Sequence, residues 1–246
     1  MQKRHKFRKI HLVWIIPIGL ILALAIVFVI YAAFYRHAEP EALEALASDT
    51  QVSVRQTDYG WFFDGPSEED ALVFYPGAKV EEAAYAPLLH ALAAEGVDAC
   101  LVKMPLRFAF LGINRADAVM KAHGHTHWYI GGHSLGGAMA ASFAAKNADR
   151  VEGLILLGAH VETPLDDRLF ELVIYGTEDG LTTAEDIEKG RKAAPKRYIE
   201  HAIQGGNHAQ YGNYGVQPGD GTATISAEAQ QAETVRVILE NIKTWL

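Results

Sequence analysis

The stretch WYIGGHSLGGAMAASFAAK, Trp128 to Lys146, decides the fold. It reads as a short apolar strand, a glycine-rich turn around one serine, and an alanine-rich helix. The turn Gly132-His133-Ser134-Leu135-Gly136 has the spacing G-x-S-x-G. A strand that reverses sharply into a helix forces its apex residue into strained backbone. Strand and helix then approach so closely that side chains at the two flanking positions would clash. Glycine at both flanks removes the clash. The serine hydroxyl stands above the sheet edge, at the positive end of a helix, a place suited to nucleophilic attack.

Outward from this turn, strands alternate with helices. Gln51 to Asp58 and Trp61-Phe62-Phe63 predict an antiparallel hairpin. Apolar runs at 71–75, 97–103, 127–131, 151–157, 169–175 and 197–203 predict buried strands. Helical spacing covers 83–94, 115–122, 183–193 and 226–246. The class is α/β, with a mostly parallel central sheet and helices on both faces.

The N-terminus differs in kind. Residues 1–9 form a basic head carrying Lys3, Arg4, Lys6, Arg8 and Lys9, and Ile10 to Tyr35 holds no charged residue. As a helix that run is long enough to cross a hydrocarbon core of about 30 Å. It exceeds the apolar stretch of a cleavable signal peptide and ends in Tyr31, Phe34 and Tyr35, which suit an interfacial belt. The reading is an uncleaved signal anchor, with cleavage near Ala38 as the alternative. Basic residues before the helix put the N-terminus in the cytoplasm and the larger domain outside. The expected organisation is head 1–9, single-pass membrane anchor 10–35, linker 36–50 and domain 51–246.

Half of the 246 residues are hydrophobic, enough for one large domain and an appendage. All 30 acidic residues lie beyond Arg36, against sixteen of the 22 basic ones, so the segment from His37 onward carries −14. Such a surface is poorly suited to nucleic acid or anionic lipid. Cys100 is the only cysteine, so no internal disulfide forms, and its apolar run marks it as a core residue.

A serine hydroxyl needs a base to take its proton and a group to orient the base. Strand 169–175 runs into Gly176-Thr177-Glu178-Asp179-Gly180, and strand 197–203 into Gln204-Gly205-Gly206-Asn207-His208. Both loops fall at carboxyl ends, where open α/β sheets place their sites. The order Ser134, Asp179, His208 is the one that accompanies a G-x-S-x-G turn, with Glu178 as the alternative acid. Oxyanion donors are expected from the backbone N–H of Leu135 and of Ala78, in the loop after strand 71–75. His123, His125 and His127 alternate in HGHTH and read as a polar turn, not a metal site; no metal or cofactor is expected. His133 reads as a packing residue, and Asp220 as a loop cap or a cation ligand.

The segments YPGAKVEEAAYAPL, KMPLRFAFLG, GGHSLGG, YGTEDG and GGNHAQYGNYGVQPGDG, spread from about Thr57 to the C-terminus, resemble an α/β-hydrolase of the small bacterial type related to dienelactone hydrolases. The resemblance implies the α/β-hydrolase fold, a Ser134–His208–Asp179 triad and serine-hydrolase activity. The expected function is carboxylesterase-like cleavage of a small-molecule ester through an acyl-enzyme. Two features depart from the pattern. Dienelactone hydrolases carry cysteine as nucleophile where this chain has Ser134, and Tyr75-Pro76-Gly77 replaces the usual His-Gly before the oxyanion loop. Larger lipases insert a helical lid before the acid-bearing strand, but here only about eleven residues, Gly158 to Arg168, are available. An open site follows, suited to small or exposed acyl groups, with Phe108, Phe110, Tyr211 and Tyr214 as candidate lining. Acyl transfer, thioester cleavage or a catalytically silent binding surface remain alternatives on the same scaffold.

Overall fold

The computed structural model describes residues 3–245, with side chains from Trp14 to Thr244, so the side chains of the basic head lie outside the described residues. The chain divides into two units, Met1–Tyr35 and Arg36–Leu246. The first is helix α1, Lys3–Ala33, whose segment Trp14–Ala33 has mean hydropathy 2.9 and is long and apolar enough to cross a membrane.

In the second unit come α2 (Pro40–Glu44), the hairpin β1 (Ser53–Thr57) and β2 (Gly60–Asp64), then β3 (Asp70–Tyr75). Next are α3 (Ala86–Ala94), β4 (Val97–Val102), α4 (Ala116–Ala122), β5 (His127–His133) and α5 (Leu135–Ala144). The chain ends with β6 (Gly153–Leu157), β7 (Phe170–Gly176), α6 (Ala184–Arg191), β8 (Arg197–Ile203) and α7 (Ala227–Trp245). They build one eight-stranded sheet in the order β1-β2-β4-β3-β5-β6-β7-β8. β1 and β2 pair antiparallel with their neighbours, and every pairing from β4 to β8 is parallel.

Strand side chains alternate between two cores, as a sheet covered on both faces requires. Leu72, Phe74, Leu101, Tyr129, Ile155 and Leu172 pack toward α3 and α7, whose Leu88, Leu92, Ile238 and Ile242 share that core. Ala71, Val73, Cys100, Ile130, Leu154 and Val173 pack toward α4, α5 and α6. β3 is flanked by β4 on one side and β5 on the other, so the crossovers diverge there. Their carboxyl ends frame the crevice expected at such a reversal.

Two expectations change. The stretch 36–50, read as a linker, is laid on the domain: Arg36 N–H donates to Lys79 O, Glu81 N–H to Arg36 O and Glu39 N–H to Asn213 O, at 2.8 Å each. Ala42 and Val52 are buried. The helix expected over 83–94 opens with a 3-10 turn, Glu82–Tyr85, and becomes α only at Ala86, ahead of Pro87.

One buried carboxyl carries a pH dependence. Glu171, 2 % exposed on β7, has its pKa pushed up to about 8 by burial and by nearby Glu200. The native state therefore holds a proton that the unfolded chain releases above about pH 4.5, and stability falls as pH rises toward about 8. Glu171→Gln is expected to raise unfolding stability by about 5 kcal/mol near pH 9 and to change it little near pH 4. Urea unfolding of the detergent-solubilised chain at both pH values measures this; an equal shift at both would mean the carboxyl does not titrate with folding.

Candidate active site

The turn after β5 has the strain its sequence implies. Ser134 sits at φ 53° and ψ −125°, in the left-handed half of the map, between the last residue of β5 and the first of α5. The flanking glycines are obligatory. A Cβ on Gly132 would lie 2.5 Å from Tyr75 O, and one on Gly136 would lie 2.1 Å from the same oxygen. Ser134 N–H donates to Leu157 O at 3.0 Å, which pins the apex to the neighbouring strand β6. Ser134 itself is half-buried.

The acid and base loops converge beside it. Asp179 Oδ2 lies 2.9 Å from His208 Nδ1, and both side chains are almost wholly buried. The other carboxylate oxygen, Oδ1, accepts the N–H groups of Leu181 and Thr182 at 2.8 and 2.7 Å. Its two oxygens are thus divided between holding the loop and holding the ring. With Nδ1–H donating to the carboxylate, Nε2 keeps its lone pair, and among the described residues this buried atom has no hydrogen-bond partner. No hydrogen bond joins Ser134 to His208 among the described residues. The ring does lie against the turn, its centroid 4.4 Å from that of His133, the residue before Ser134. Glu178, the alternative acid, is exposed and bonded to Thr177 Oγ1.

The two expected backbone donors are available. Leu135 is the first residue of α5, so its N–H has no acceptor within the helix. The N–H of Ala78 has no hydrogen-bond acceptor among the described residues. The two loops that carry them are tied together. Gly77 N–H donates to Tyr85 Oη at 3.1 Å, and that hydroxyl donates to His133 Nδ1 at 2.8 Å. Burial, reinforced by His208, holds the His133 imidazole well below its usual pKa, so the ring is neutral.

Two contributors, Gly158 and Thr182, carry no signature in the sequence. Gly158, at φ 49°, packs so tightly that a Cβ there would meet His208 Nδ1 at 3.0 Å and Asp179 Oδ2 at 3.1 Å. Thr182 Oγ1 donates to Gly158 O at 2.8 Å, which holds this floor in place. Asp220 acts as a staple: Oδ1 accepts the N–H groups of Gly180, His208 and Gly221, and Oδ2 accepts that of Ala209. One carboxylate fastens the acid loop to the base loop.

Of the aromatic lining candidates, Phe110 is exposed and packs on Phe108. Tyr211 is fully buried, its hydroxyl donating to Ile174 O, and Tyr214 is buried against Tyr85 and His133. These two tyrosines pack the base loop. The β6–β7 connection carries no helix. The HGHTH histidines answer separate partners: His123 bonds Tyr59, His125 bonds Asp98 and His127 bonds Asp70. A cavity of about 630 Å³ lined by Thr57, Tyr59, Arg115 and His123 includes none of the candidate triad.

Residues 71–232 match the model of the Alpha/beta hydrolase family. Solved structures of the same fold include a dienelactone hydrolase from Anabaena variabilis, 15 % identical, TM-score 0.59, covering 77 % of this chain and 98 % of that one. Est1E from Butyrivibrio proteoclasticus is 16 % identical, TM-score 0.55, covering 79 % and 100 %. A membrane phospholipase A is 13 % identical, TM-score 0.56, covering 97 % and 99 %. A search of curated proteins finds no match. The family match spans more than half of the chain and coincides with the sheet, the strained serine turn and the convergent loops. The chain is a hydrolase of the alpha/beta hydrolase family.

Proposed function

We propose that this chain is a membrane-anchored serine hydrolase that cleaves a carboxylic ester through an acyl-enzyme. The observation that carries the reading is the buried His208–Asp179 pair, set beside a strained serine turn with the second ring nitrogen uncommitted. Ser134 Oγ attacks the ester carbonyl while His208 Nε2 takes its proton. Asp179 keeps the ring in the tautomer that can do so and stabilises the imidazolium. The N–H groups of Leu135 and Ala78 receive the oxyanion. His208 returns the proton to the departing alcohol, then draws one from water to release the acyl group. The membrane phospholipase A that shares this fold supports ester chemistry. Residues 10–35 anchor the chain with the N-terminus in the cytoplasm, and the catalytic domain lies outside, its fold beginning with the docked strap from Arg36.

A fluorophosphonate probe tests this. The full-length chain is expected to be labelled at Ser134 and to hydrolyse p-nitrophenyl acetate. Ser134→Ala is expected to lose both. Undiminished turnover by that variant removes the mechanism.

A further inference from the structure

The parallel strands bring all their carboxyl ends to one edge, so the loops after β3, β4, β5, β7 and β8 share a rim. The chain enters the domain at that same rim. Arg36 forms a two-bond bridge with the segment Lys79-Val80-Glu81, immediately after the proposed donor Ala78. Only Phe34 and Tyr35 separate Arg36 from Ala33, the end of the candidate span. Three residues of chain reach at most about 11 Å. The strap that pairs with the oxyanion loop therefore follows the candidate span directly in sequence.

The loop after β4 occupies the same rim and is fixed to the same segment, since Lys79 N–H donates to Arg107 O at 3.0 Å. It presents apolar side chains outward: Leu106 is 40 %, Phe110 44 % and Leu111 44 % exposed. Leu106 and Arg107 are both held at positive φ, 49° and 61°, a costly conformation for consecutive non-glycine residues. Exposed leucine and phenylalanine clustered beside a membrane attachment point are the surface expected of a loop seated in a lipid interface. The acidic domain argues for apolar insertion over attraction to anionic headgroups.

We propose that the rim loop Leu106–Leu111 docks into the bilayer and that the substrate is the ester of an amphiphile presented there, its acyl chain held by the membrane. The absence of a helix between β6 and β7 then has a use: the bilayer takes the place of a lid, and only the ester bond must rise to Ser134. The substrate half of this inference rests on the serine-hydrolase reading; the docking half does not.

The test uses the full-length chain in phosphatidylcholine vesicles, with two probes sharing one leaving group: umbelliferyl palmitate in the bilayer and umbelliferyl acetate in water. The double variant Leu106→Ser, Leu111→Ser is expected to lose about tenfold or more on the palmitate and to stay within about twofold on the acetate. In parallel, Leu111→Cys labelled with bimane is expected to be quenched by lipids carrying a nitroxide near the headgroup. Cys100 is fully buried, with its thiol pKa raised by that burial, and does not compete for label. Equal losses on both esters, or turnover of acetate alone, overturn the substrate class while leaving the hydrolase intact. Absence of quenching overturns the docking. If the fluorophosphonate probe does not label Ser134, the substrate half falls with the enzyme reading, and quenching still decides the docking.

Discussion

Ester turnover by the Asp179→Asn chain is expected to fall about 10⁴-fold near neutral pH, while Glu178→Gln stays within about twofold. The two acids are adjacent in sequence, but their surroundings differ completely. Glu178 faces solvent, whereas Asp179 is buried and gives one oxygen to the loop and the other to His208. In Asp179→Asn the amide oxygen can keep the bonds to Leu181 and Thr182, so the loop holds. The amide nitrogen then faces His208 Nδ1 and donates to it. That inverts the tautomer, places the proton on Nε2 and leaves no base for Ser134. The loss should appear in kcat with unfolding stability little changed. A comparable fall for Glu178→Gln would move the acid by one residue.

Gly136→Ala is expected to cost more than about 4 kcal/mol, a large share of the stability of a typical domain. The added methyl would lie 2.1 Å from Tyr75 O and 2.4 Å from Pro76 O, both backbone atoms at the end of a central strand. Neither can move without disturbing the β3–β5 pairing or the oxyanion loop. Gly124→Ala is the control: nothing lies within 4 Å of its would-be Cβ, and the change should stay within about 0.5 kcal/mol. Urea midpoints of the two variants give the contrast directly; equal midpoints would mean that the helix can retreat from β3.

The elements that repeat locally were legible in the sequence. Alternating and continuous apolar runs announced all eight strands, and the serine turn announced its own strain, because strand and helix periods are written in neighbouring residues. The loops that carry the acid and base candidates followed from strand ends in the same way. What escaped was long-range. Tyr85 and His133 are 48 residues apart, and nothing in either segment points to the other. Gly158 looks like any glycine after a strand until His208 and Asp179 close over it. Tyr211 and Tyr214 read as lining because loop aromatics carry no period that separates packing from exposure. The segment from Arg36 read as a tether because its composition is polar and alanine-rich. Its docking depends on backbone hydrogen bonds to Lys79, Glu81 and Asn213, which no side-chain pattern encodes.

The four amide hydrogens gathered by Asp220 have a mechanical consequence. Because the loops of Asp179 and His208 are riveted at that single point, the turn beyond Tyr214 can change without releasing either. Val216, 93 % exposed in that turn, marks a place where a reporter peptide can be spliced in without disturbing the reacting atoms.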